Sequence, residues 1–153
     1  MSQHCEKHDM STLLLYYLLG IGLYKMSAYK MLYAYYGNKY EVDPKLLEAI
    51  AKTESSENPV AVSSVGAFGL MQIYPQGNFQ NIEGWPVSDA TDLFNPGLSV
   101  KLGAQILAWN IKHYGLLRGV AVYNNWGARN DPASGPFRNQ DYVNRVMGFY
   151  RDI

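Results

Sequence analysis

Residues 56–97 are so rich in Gly, Pro, Asn and Ser that no long helix or strand is expected to run through them, and helical spacing holds on both sides. Upstream, Asp43 followed by Pro44 reads as an N-cap and a first helical residue. The aspartate oxygen can accept from a free first-turn amide, and proline needs no donor at that position. Leu46, Leu47, Ile50 and Ala51 then recur at the interval of one helix face, and the helix they predict reaches Glu54. Downstream, Leu98, Leu102, Ile106, Trp109 and His113 predict a helix ending near Gly115, Leu116 to Tyr123 a shorter one, and Tyr142, Val146 and Tyr150 a last. Helical blocks around a turn-rich stretch predict a mainly α domain whose loop layer shapes a groove, with a short helix or hairpin inside that layer. At 153 residues the chain has room for one domain with a real core. Its single cysteine, Cys5, excludes an internal disulfide, so packing has to hold the domain together.

The N-terminal segment reads differently. Residues 1–9 are polar, and residues 13–24 (LLLYYLLGIGLY) are apolar on every face. That run falls short of the roughly 20 residues a membrane-spanning helix needs, and Lys25 and Lys30 interrupt any extension. Three roles stay open for residues 11–25: a signal-peptide core, a membrane anchor, or an apolar helix that docks on the domain or on a protein assembly. Glu6 and Asp9 beside Lys7 make a poor signal-peptide start. The lysines that follow the run would, on insertion, hold the domain on the cytoplasmic side. The expected division is therefore a leader plus apolar helix over residues 1–25 and a folded domain over residues 26–153.

Lys plus Arg and Asp plus Glu both number 13, a formal net charge of zero that leaves no electrostatic footprint for nucleic acid. Thirteen Tyr and three Trp supply flat amphipathic faces that pack in a core or stack on a sugar ring. His4, His8 and His113 show no metal-ligand spacing, and neither a metal nor another cofactor is expected. Glu54 carries the chemistry that remains. It stands seven positions after Leu47 and four after Ile50, so a continuing helix sets its carboxyl on the apolar side. Poor solvation there disfavours the charged form and lifts the pKa toward what a general acid for a glycosidic oxygen needs. Position alone favours a plainer reading, a helix-end carboxylate that bonds a loop amide.

The segment from Glu54 to Pro75, ESSENPVAVSSVGAFGLMQIYP, resembles the catalytic signature of soluble lytic transglycosylases. It joins Glu54-Ser55 at a helix end to Asn58-Pro59, Ser63, Gly66-Ala67 and the run Gly69-Leu70-Met71-Gln72. Asn95-Pro96, Gly103, Tyr114-Gly115, Ala121 to Asn124 and Tyr142-Val143 follow in the order of the same family, so the resemblance covers residues 26–153. It implies a lysozyme-like single domain that cleaves the N-acetylmuramic acid to N-acetylglucosamine bond of peptidoglycan glycan strands, leaving a 1,6-anhydro sugar. Glu54 would be the single catalytic acid and base. Ser63 and Gln72 would hydrogen-bond the sugar, and Tyr123 would position the acetamido group or the Glu54 carboxyl, with Asn124 a further candidate. Plainer readings remain beside these: a turn hydroxyl for Ser63, a bond to loop backbone for Gln72 and a core aromatic for Tyr123. Ser55 reads as a helix-end hydroxyl, because no histidine lies in the motif to activate it. Gly66 and Gly69 read as backbone geometry.

Two positions depart from the family pattern. Tyr74 replaces a methionine and would make the wall of a sugar subsite bulkier. Asn125-Trp126 replaces a small pair and would narrow the groove or add a stacking platform. A retaining hydrolase needs a second carboxylate about 5 Å from the first, and the nearest in sequence, Glu57, is expected to face solvent. The alternatives are a goose-type lysozyme-like hydrolase and a non-catalytic wall-binding component of a virion or secretion apparatus. The implied site of action is the cell envelope or periplasm, reached by a chain carried in a phage virion or a secretion or conjugation machine.

Overall fold

A computed structural model of the chain describes residues 29–75 and 86–153. The polar leader and apolar run of residues 1–25 lie outside the described residues. Five α-helices are present among those described: α1 (Lys30–Tyr40), α2 (Pro44–Ser55), α3 (Pro96–Tyr114), α4 (Leu116–Asn124) and α5 (Gln140–Asp152). Two single-turn 3-10 helices, Ala90–Phe94 and Trp126–Asn130, complete the set. The fold is mainly helical, as the two flanking blocks of periodicity require. No helix among the described residues is long and apolar enough to cross a membrane.

Helix α2 begins as read. The Asp43 carboxylate accepts from the Lys45 amide at 2.9 Å, and Pro44 occupies the first turn. Leu46, Leu47, Ile50 and Ala51 are all buried, and the helix packs on α5 on one side and α1 on the other. It stops at Ser56, which is left-handed (φ 53°) and turns its amide back to the carbonyls of Ala51 and Lys52. Glu57 is left-handed too (φ 60°), so the chain leaves the helix sharply, one turn beyond its buried face.

The loop layer is more apolar inside than its composition suggests. Leu70, Met71 and Ile73 are core residues, although they belong to no helix or strand and are held by isolated antiparallel bridges, Val62 to Phe68 and Phe68 to Ile73. The Ser55 hydroxyl donates to the Leu70 carbonyl at 2.8 Å, which ties the end of α2 to this loop. The Met71 amide donates to the buried Ser99 hydroxyl at 3.0 Å, which ties the loop to α3. Gly103 lets α3 come this close, because a β-carbon there would lie 2.8 Å from the Met71 methyl. Ser99→Ala would leave the Met71 N–H buried without an acceptor, a loss of about 1–3 kcal/mol. Thermal denaturation should show a melting point several degrees below that of the parent.

One sequence expectation shifts here. The line Leu98, Leu102, Ile106, Trp109, His113 does lie on α3, but only Leu102 among them is fully buried. The core is filled by Val100, Leu102, Ala104 and Leu107. The outer line is a second apolar stripe, because α3 is apolar on most of its circumference; Leu98 and Ile106 pack at the edge of the core, and Ile106 also borders a cleft.

Candidate active site

Glu54, Ser63, Gln72, Tyr74, Tyr123 and Asn124 line a single cleft of about 420 Å³, together with Val65, Ala67, Ile73 and Ile106. They come from three places: the last turn of α2, the loop layer, and the last turn of α4. Each position follows from a local cause.

Glu54 ends the buried face of α2, and its carboxyl is poorly hydrated. Burial pushes its pKa from 4.5 up to about 6, against a hydrogen bond from Tyr142 and the positive charge of Arg145, both of which pull it down. The Tyr142 hydroxyl donates to Glu54 Oε1 at 2.7 Å, across 88 residues of sequence, from the first turn of α5. Tyr142 is a functional candidate that sequence reasoning assigned no role. Its buried position on the α5 stripe implied that the hydroxyl needs a partner, but nothing in the sequence said that the partner is Glu54.

Tyr123 does not bond the carboxyl. Its hydroxyl donates to the Met71 carbonyl at 2.9 Å, so the ring is fixed by the loop layer and the oxygen keeps its acceptor capacity. Burial first, and the nearby Glu54 second, push both phenols well above their ordinary pKa. Tyr123 and Tyr142 thus stay protonated and act as donors, leaving Glu54 as the group in the cleft that changes protonation near neutral pH.

Gln72 is left-handed (φ 48°), a backbone conformation that disfavours a side chain and calls for support. Its amide nitrogen supplies that support by donating to the carbonyls of Gly69 (2.9 Å) and Ala61 (3.2 Å). The bond to loop backbone therefore exists, and it uses both amide hydrogens, so Gln72 can meet a ligand only through its carbonyl oxygen. The Ser63 hydroxyl accepts from the Ala67 amide at 2.9 Å as a turn hydroxyl, and its own hydrogen remains to donate. Asn124 Oδ1 accepts from Asn139 at 3.0 Å. Tyr74 stands at the rim, 44% exposed.

Glu57 departs from expectation. It is half-buried rather than solvent-facing, and accepts from the Tyr33 hydroxyl at 3.0 Å, because the left-handed exit from α2 turns it toward α1. Among the described residues lining the cleft, Glu54 is the one carboxylate.

Residues 31–143 match the transglycosylase SLT domain family. The transglycosylase of Enterobacteria phage PRD1 is 32% identical over 117 residues, which cover 72% of this chain and 41% of that protein. The endo-type membrane-bound lytic murein transglycosylase A of Klebsiella pneumoniae is 37% identical over 76 residues, 47% of this chain and 37% of that one. The chain spans less than half the length of these relatives. Among solved structures, the 70 kDa soluble lytic transglycosylase of Escherichia coli superposes with a TM-score of 0.65 at 30% identity, over 82% of this chain and 24% of that one. An inactive mutant of the lytic transglycosylase Slt of Pseudomonas aeruginosa shares the fold, with a TM-score of 0.68 at 22% identity, over 82% of this chain and 24% of that one. With more than half of its length matched to that domain, and its cleft built on the motif from Glu54 to Gln72, this chain belongs to the transglycosylase SLT domain family.

Proposed function

We propose that the chain is a peptidoglycan lytic transglycosylase in which Glu54 serves as both acid and base. The observation that carries this reading is the lone carboxyl in the cleft, lifted by burial to about 6 and held by a phenol. Protonated Glu54 gives its proton to the bridging oxygen as the bond to the muramoyl C1 breaks, and the N-acetylglucosamine end leaves as an alcohol. The carboxylate so formed takes the proton of the muramoyl C6 hydroxyl, whose oxygen closes onto C1. Glu54 is regenerated, and no water is consumed. The Tyr142 hydroxyl favours the ionised form, which stabilises the carboxylate between the two steps. Ser63 and the Gln72 carbonyl supply one donor and one acceptor for the sugar, and Tyr123 can accept from an acetamido N–H.

Relatives named for phage and for murein support action on the cell wall in the envelope, and the PRD1 protein supports a phage setting. The test is product analysis by mass spectrometry after digestion of purified peptidoglycan. Muropeptides ending in 1,6-anhydromuramic acid are expected, whereas reducing ends alone would assign a goose-type hydrolase instead.

Tyr142 provides a pH test. A general acid works protonated, so kcat/KM should fall as pH rises through the Glu54 pKa, near 6. Tyr142→Phe removes a bond that favours the ionised form, so that pKa rises and the alkaline limb moves to higher pH, while the plateau rate drops with lost positioning. A limb that stays in place would show that the phenol does not act on the carboxyl.

A further inference from the structure

The cleft does not end at Asn124. Trp126 lies two residues beyond it in the chain, and Trp109 lies one helical turn beyond the cleft-lining Ile106 on α3, so both indoles follow directly on residues of the cleft wall. Their rings are stacked with centroids 6.1 Å apart and planes 27° apart. That separation is offset stacking rather than face-to-face closure, and Trp126 keeps 54% of its surface exposed. Trp109 is backed in turn by His113, at 4.0 Å and 26°.

Trp126 is also held still. The Arg129 guanidinium carbon lies 4.8 Å from the centre of its ring, and Arg129 Nη1 donates to the Trp126 carbonyl at 2.9 Å. The Asn125 side chain caps the short helix by accepting from the Gly127 amide at 2.9 Å. A large aromatic ring already fixed in place loses little conformational freedom when a ligand covers it.

We propose that Trp126, backed by Trp109 and steadied by Arg129, forms a further sugar subsite, on which a pyranose of the glycan strand outside the cleaved pair stacks its C–H face. The proposal rests on the glycan-cleaving reading of the cleft and extends it to longer strands. A pyranose fits because one face is lined with C–H groups and the rim with hydroxyls, matching the exposed part of an indole whose ring also carries a guanidinium over it. Nucleic acid would also stack, but the chain carries no net positive charge to hold phosphates.

The test separates the subsite from the activity. Glu54→Gln protein, which should bind without cutting, is titrated with oligomers of N-acetylglucosamine by calorimetry and tryptophan fluorescence. A hexamer should perturb the fluorescence, and adding Trp126→Ala should weaken hexamer binding about tenfold, with Trp126→Tyr recovering most of it. Hexamer affinity within twofold of the parent in the Ala variant would overturn the subsite. In the otherwise unaltered enzyme, Trp126→Ala should shrink the advantage in kcat/KM of long glycan strands over a tetrasaccharide, also about tenfold. An active enzyme whose length preference survives that change overturns the subsite alone. Absence of anhydro product from every substrate sinks the activity reading instead, and the binding titration still decides the subsite. Because Trp126 is more than half exposed, each Trp126 variant should melt within a few degrees of the protein it was made in, whether wild type or Glu54→Gln.

Discussion

Glu54→Gln protein is expected to fold normally and to lose turnover of peptidoglycan by about a thousandfold, the usual scale for removing a general acid and base. Gln keeps the shape of the side chain and can still accept from Tyr142, but it has no proton to transfer and no charge to take one back. Rates of anhydromuropeptide release from purified sacculi measure this, and a variant within tenfold of the parent would dismiss Glu54 as the acid. The same substitution has a second effect of opposite benefit. A carboxyl lifted from 4.5 to about 6 is more easily protonated in the folded chain than in the unfolded one. Its contribution to stability is therefore fully present below about 4.5 and is lost as pH rises through about 6. Above that, the ionised group costs the fold about 2 kcal/mol. Glu54→Gln should melt at a higher temperature than the parent at pH 8, and the gap should close by pH 4. Equal melting points at both values would mean that the carboxyl is better hydrated than its surroundings indicate.

The other large effect is on folding. Gly69 sits at φ +76°, and a β-carbon there would fall on the Leu93 carbonyl oxygen and lie 3.2 Å from the Ser99 hydroxyl. The obstacle is backbone, which cannot swing aside as a flexible side chain does. Gly69→Ala combines left-handed strain with a forced shift of the 3-10 turn at Ala90–Phe94, a loss of about 3–5 kcal/mol. It should lower the melting temperature by roughly 10 °C or more. Catalysis should suffer as well, because the Gly69 carbonyl accepts both the backbone and side-chain amides of Gln72. Gly148→Ala is the matched control: it lies inside α5 with nothing within 4 Å of the added carbon. That change should be neutral or stabilise by up to about 1 kcal/mol.

What the sequence disclosed and what it withheld divide along a physical line. Local chemistry was legible. Asp43-Pro44 announces the start of α2, the four-residue spacing from Ile50 puts Glu54 on the buried side, and glycines at 66 and 69 mark left-handed backbone. Contacts between distant segments were not. Tyr142 reaches Glu54 because α5 packs on α2, and no local pattern encodes which buried phenol meets which carboxyl. Glu57 was placed in solvent because a turn usually exposes its residues, yet two successive left-handed positions rotate it toward Tyr33. The loop layer was legible as a turn-rich, groove-shaping stretch, but turn composition does not say which of its residues pack inward, and Leu70, Met71 and Ile73 fill the core.

The bond between Tyr142 and Glu54 also bears on how such a chain comes into being. A ribosome delivers residue 54 long before residue 142, so the acid emerges first and waits without its phenol. Only when α5 has left the tunnel and settled against α2 does the carboxyl gain its clamp. The setting of the acid in the cleft is therefore completed by the last helix of the chain to be made.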